Sequence, residues 1–113
     1  FENFLVQVFE NLGYTVQTTR TTGDHGVDLI ASKGPCVIAV QAKGYPSSTV
    51  GNGAVQEAYS GMAFYRRLHD CNRSAVITNS TFTKAAKEAA HELGCVLIDG
   101  AAIPALIRGE IAL

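Results

Sequence analysis

Apolar side chains at positions 1, 4, 5, 8, 9 and 12 recur at helical spacing, and Gly13 supplies a stop, so the chain is predicted to open on a helix over 1–12. Tyr14–Thr19 is dense in β-branched residues and reads as a strand. The polar, glycine-bearing stretch 21–26 then reads as a turn. Two further strands are predicted at Val27–Ser32 and Val37–Lys43, divided by the turn Lys33-Gly34-Pro35. Three strands this close together suggest an antiparallel meander.

The second half changes character. Gly44–Gly53 holds three glycines, a proline and two serines and is predicted to be a flexible loop. Apolar positions 54, 55, 58, 62, 65 and 68 predict a helix over Ala54–Leu68. A short strand at Ser74–Asn79, an Ala-rich helix at Thr83–Leu93 stopped by Gly94, and a strand at Cys95–Ile98 follow. Asp99-Gly100 opens a last short helix through Ile107. Helices alternating with strands favour parallel pairing through crossovers. With no repeat, linker or low-complexity tract, residues 1–113 read as one α/β domain.

Composition narrows the class. A chain that is 47% hydrophobic and 17% charged suits a globular domain with one core. No apolar run approaches the roughly 20 residues of a membrane span. Phe1-Glu2-Asn3-Phe4 lacks the basic region of a signal peptide, and Cys36, Cys71 and Cys95 lack CxxC spacing, so a cytoplasmic protein with reduced thiols is expected. The chain begins without methionine, which reads as a piece of a longer protein with additional domains. Nine Lys and Arg against ten Asp and Glu leave a net charge of −1, which argues against a free-standing nucleic-acid binder but not against an enzyme that receives DNA through another domain.

Chemistry enters where polar groups interrupt apolar strands, because unpaired buried charge is costly. Asp28 lies in one such strand; Gln41 and Lys43 lie two apart in the next and share a face. Magnesium prefers hard oxygen ligands, which Asp28, the Gln41 amide and the Ala42 carbonyl can supply. Lys43 can orient or deprotonate an attacking water or neutralise phosphate charge. Glu2, on the first helix, can add a second carboxylate. The set suits a phosphodiester hydrolase dependent on Mg²⁺, with Mn²⁺ as a substitute.

The order Phe1-Glu2, Leu12-Gly13-Tyr14, Gly23-Asp24-His25-Gly26-Val27-Asp28-Leu29-Ile30, Val40-Gln41-Ala42-Lys43, Val55-Gln56-Glu57, Thr78-Asn79-Ser80 with Phe82-Thr83, and Leu97-Ile98-Asp99-Gly100 resembles the Mrr-like restriction endonuclease family of the PD-(D/E)xK nuclease superfamily. The resemblance implies a three-layer, restriction-endonuclease-like fold with a mixed central sheet flanked by helices. It implies metal-dependent DNA cleavage, with Glu2, Asp28, Gln41 and Lys43 on the family's active-site positions. Gln41 departs from the superfamily's usual acid, though Mrr-like members commonly carry this Gln; a neutral amide should hold Mg²⁺ more weakly. Gly44 stands where the family commonly has a basic residue, removing one phosphate contact.

Gln56 and Arg20 are expected to touch DNA, and a homodimer is the simplest way to cut both strands. Asp24 and His25 are expected to shape the turn, Asp99 to cap a helix, and His69, His91, Arg66 and Arg67 to face solvent. Thr78–Thr81 can meet the DNA backbone or cap the next helix. The rival reading is a nuclease-fold module that binds DNA or a protein partner without cutting. A nucleotide-binding α/β domain is disfavoured, because no Gly-rich phosphate loop precedes a helix.

Overall fold

Helix α1 (Glu2–Asn11) leads into β1 (Thr15–Thr18), β2 (Leu29–Lys33) and β3 (Cys36–Lys43), followed by α2 (Asn52–His69), β4 (Arg73–Thr78), α3 (Lys84–Leu93), β5 (Val96–Ile98), a 3₁₀ turn (Gly100–Ala102) and α4 (Ile103–Ile107). The computed structural model describes residues 1–19, 26–44 and 47–113. The turn assigned to 21–26, with Asp24 and His25, therefore lies outside the described residues except for Gly26. The five strands form one mixed sheet in chain order, β1-β2-β3-β4-β5. The β1–β2 and β2–β3 pairs are antiparallel, and β3–β4 and β4–β5 are parallel, as expected for a meander followed by helical crossovers.

Strand alternation sends side chains to two separate cores. Leu29, Ala31, Ile38, Val40, Ala75, Ile77 and Ile98 pack with Leu5, Val8 and Phe9 of α1 and Leu106 of α4. On the opposite face, Ile30, Val37 and Ala39 meet Met62 of α2, while Val76 meets Ala54, Val55 and Ala58 of α2 and Ala86 and Ala90 of α3. These are the three layers that the resemblance implies. No helix among the described residues is long and apolar enough to cross a membrane.

Local chemistry sets the ends of the elements. Thr83 caps α3 by accepting from the Ala86 N–H at 3.0 Å, and Asp99 caps the 3₁₀ turn by accepting from the Ala102 N–H at 3.0 Å. Helix α2 starts two residues earlier than its apolar spacing indicates, at Asn52, so the connection after β3 is shorter than predicted. Val50 is also tied down: its N–H donates to the Thr81 carbonyl at 2.8 Å and its carbonyl accepts from the Thr83 N–H at 3.0 Å. The part of this connection around Val50 is thus anchored to the segment before α3, in place of the uniformly flexible loop expected; Tyr45 and Pro46 lie outside the described residues.

Candidate active site at the end of the antiparallel ladder

The second strand begins one residue after Asp28, not before it, and the reason lies in the ladder. Val27 packs on the α2 side beside Met62, yet Leu29, two residues on, packs on the α1 side. Period-two alternation therefore breaks at Asp28. Its N–H donates to the Val40 carbonyl at 2.8 Å, although Leu29 is already the register partner of Val40. The Asp28 carbonyl turns the other way and accepts from the Thr19 N–H at 3.0 Å. Here the Asp28 carbonyl turns from β3 to Thr19, and the Asp28 carboxylate takes up the next β3 N–H. Oδ2 accepts the Ala42 N–H at 2.7 Å, a short charge-assisted bond.

A close approach fixes the segment leading to Asp28. Gly26 has φ +63, and a Cβ there would sit 2.7 Å from the Glu57 Cβ and 2.9 Å from the Glu57 carbonyl. Only glycine combines that backbone with that proximity. The chain two residues before Asp28 is thus laid directly on the turn of α2 that carries Glu57.

Alternation along β3 sends Gln41 and Lys43 toward α2, while the Ala42 methyl joins the α1 core. Gln41 is only 4% exposed. Its Nε2 donates to Glu57 Oε1 at 3.5 Å, a long bond, and its Oε1 is buried with no hydrogen-bond partner among the described residues. Lys43 lines a cleft of about 310 Å³ with Thr49, Val50, Gly51, Gly53, Ala54 and Glu57. The strand end itself is locked by Thr78: its hydroxyl donates to the Lys43 carbonyl at 2.6 Å and accepts from the Ser80 N–H at 3.1 Å. Thr78 is fully buried, with its hydroxyl engaged on both sides in that lock.

On the other side of β3, Glu2, Asn3, Phe1, Ala42 and Gly44 line a cleft of about 500 Å³. Partial burial of the Glu2 carboxyl raises its pKa, and the Asp28 charge raises it further. Glu2 thus feels Asp28 electrostatically while remaining largely exposed. Gly44 has no room for a side chain, since a Cβ would sit 2.8 Å from the Phe1 Cβ. The missing basic residue at this position is therefore matched by packing.

The structure joins Asp28 to the Gln41–Lys43 strand through Ala42, and couples Glu2 to Asp28 by charge. Gln56 is exposed on α2, and Arg20 lies outside the described residues. Residue reasoning passed over Glu57 in favour of its neighbour. The signal was available: position 57 is three residues after Ala54 and four before Gly61, both buried, so it flanks the buried stripe of α2.

A divalent ion fits this donor set. The buried Gln41 Oε1 is an oxygen donor without a partner among the described residues, and Asp28 has a second carboxylate oxygen beyond the one that holds Ala42. Among the described residues no three His, Cys, Asp or Glu side chains cluster, so such an ion would draw on mixed carboxylate, amide and carbonyl oxygens.

The family model Mrr_cat, described as restriction endonuclease, matches residues 1–107. No curated protein matches the chain significantly. Among solved structures, one described as the protein of unknown function AF1548 superposes with a TM-score of 0.78 at 16% identity, covering 95% of this chain and 63% of that one. A repair endonuclease from Pyrococcus abyssi gives a TM-score of 0.64 at 17% identity, over 85% of this chain and 44% of that one. The MspJI restriction endonuclease, solved with a 27-mer oligonucleotide, gives 0.58 at 25% identity, over 92% of this chain and 25% of that one. The chain therefore spans between 25% and 63% of the length of these solved chains.

Proposed function

Because the chain belongs to the restriction endonuclease family whose model covers residues 1–107, we propose that it is the catalytic domain of an endonuclease that hydrolyses DNA phosphodiesters with Mg²⁺ or Mn²⁺. The observation that carries this reading is the pairing of two oxygen donors around Ala42: the Asp28 carboxylate locked to its N–H, and the buried, unpartnered Gln41 Oε1 one residue before it. Asp28, Gln41 Oε1 and the Ala42 carbonyl would hold the ion, with Glu2 reaching it directly or through water. Bound there, the ion supplies Lewis-acid polarisation of the phosphate and a lowered water pKa.

The chain's own residues do the rest. Asp28 fixes the geometry, because its carboxylate is held by the backbone of the strand that bears Gln41 and Lys43. Lys43 directs the attacking water or offsets the charge that grows on the phosphate oxygens. Water oxygen bonds to phosphorus and gives up a proton to solvent, the bond to the leaving sugar oxygen breaks, and that oxygen takes a proton from solvent. Gln56 and Arg20 are proposed to contact the DNA backbone. Two copies would cut both strands, and further domains of a longer chain would supply sequence recognition; the proposed setting is the cytoplasm.

The test is hydrolysis of supercoiled plasmid and of single-stranded RNA by the purified protein with Mg²⁺, Mn²⁺, Ca²⁺ or chelator. Nicked DNA with Mg²⁺ or Mn²⁺, none with chelator and no RNA product are expected. DNA binding without cleavage under every metal condition would favour the non-cutting module.

A further inference from the structure

We infer that Glu57 is a positioning residue for Gln41: its carboxylate selects the nitrogen end of the Gln41 amide and so presents the oxygen end as a metal ligand. The inference rests on the nuclease reading above and deepens it. A carboxylate accepts hydrogen bonds and donates none, so beside Glu57 Oε1 the amide must offer Nε2. Gln41 Oε1 is thereby turned away from Glu57, and it is buried without a partner among the described residues. An orphaned buried acceptor is costly unless something binds it, and a cation is the partner that an oxygen so placed can take. Without the anion at position 57 the amide is free to rotate, and the flipped amide would offer N–H groups, which repel a cation.

The location of Glu57 supports the role. Its Cβ and carbonyl form the surface on which Gly26 rests, two residues before Asp28. Its carboxylate meets Gln41, and it lines the same cleft as Lys43. One turn of α2 thus registers the segment carrying the proposed carboxylate ligand against the strand carrying the amide ligand. A side chain three or more bonds removed from the ion can set affinity in this way, with effects of about 10- to 100-fold when it is lost.

The test is Mn²⁺ titration followed by electron paramagnetic resonance, on wild type, Glu57→Gln, Gln41→Glu and the double variant. Glu57→Gln keeps the Cβ and backbone on which Gly26 rests, and far-ultraviolet circular dichroism checks the fold. Glu57→Gln should weaken Mn²⁺ binding about tenfold or more, since a second amide fixes no orientation. In the Gln41→Glu background the same change should leave binding unchanged or tighten it: a carboxylate at 41 has two equivalent oxygens and is repelled by Glu57. Wild-type affinity in Glu57→Gln would overturn the inference. An equal loss in both backgrounds would also overturn it, by making Glu57 a direct ligand. Failure of the underlying reading appears separately, as Mn²⁺ affinity in Asp28→Asn equal to that of wild type.

Discussion

The Asp28 carboxylate accepts the Ala42 backbone N–H at 2.7 Å, in the place where the antiparallel ladder would put a main-chain carbonyl. One residue therefore ends the β2–β3 pairing and brings a negative charge to the strand that carries Gln41 and Lys43. Fold and proposed chemistry share this side chain, and they can be separated by substitution. Asp28→Ala should lose the chemistry and weaken the fold, leaving the Ala42 N–H without its acceptor at a cost of roughly 1–3 kcal/mol. Asp28→Asn keeps an oxygen for that N–H and should stay within about 1 kcal/mol of wild type while losing Mn²⁺ affinity. Urea unfolding with Mn²⁺ titration checks both; equal destabilisation by the two variants would contradict the separation.

Gly26→Ala should be destabilising although it adds only a methyl group. Its φ of +63 strains any L-residue by about 1–2 kcal/mol, and the new Cβ would press on Glu57 at 2.7 Å. The compressed contact leads to Asp28, so cleavage should fall further than the unfolded fraction explains. Urea unfolding and plasmid nicking on the same preparation read the two effects. Gly34→Ala, also at positive φ but with open space around its Cβ, is the control that should leave nicking unchanged.

Glu2 links the site to pH. Its folded-state pKa is raised above the unfolded value of 4.5, first by burial and then by Asp28. The native state thus binds more protons than the unfolded state just above pH 4.5, and stability falls as pH rises through the raised value. Glu2→Gln should abolish that fall, with its relative gain appearing only on the alkaline side of this window. In Asp28→Asn the Glu2 pKa should drop toward the ordinary value without reaching it, because burial is the larger cause. Carboxyl ¹³C titration of Glu2 measures this; an identical pKa in both proteins would show that the two groups do not interact.

Binding of DNA by the isolated domain should be weak and strongly salt-sensitive. Nine cationic side chains are balanced by ten acidic ones, so long-range attraction to phosphate is small and local contacts near Lys43 and Arg20 dominate. Fluorescence anisotropy across a salt series checks this. Tight, sequence-specific binding that barely responds to salt would contradict it.

The meander and the crossovers were legible because β-branched runs, glycine stops and helical periodicity agree along most of the chain. Asp28 and Gln41 were legible because each interrupts an apolar run. The break in alternation at Asp28 was not, since Val27-Asp28-Leu29 reads as a continuous strand and only the tertiary ladder shows its backbone turning to Thr19. The anchoring of Val50 escaped for a similar reason: its partners, Thr81 and Thr83, are over 30 residues away, and a local count of glycines says nothing of them. Glu57 was passed over because its exposed position looks like a solvated helix face. Its contact with Gln41 spans 16 residues and depends on how deeply β3 is buried beneath α2.

Plasmid nicking by wild type, Asp28→Asn and Lys43→Ala, side by side with Mg²⁺, tests the central claim most directly. The wild type should nick, and both variants should remain folded and lose activity by about a hundredfold or more, the scale expected when a group that stabilises the transition state is removed. Undiminished nicking by either folded variant, with contaminating nuclease excluded, would show that Asp28 and Lys43 are not the catalytic groups of this domain.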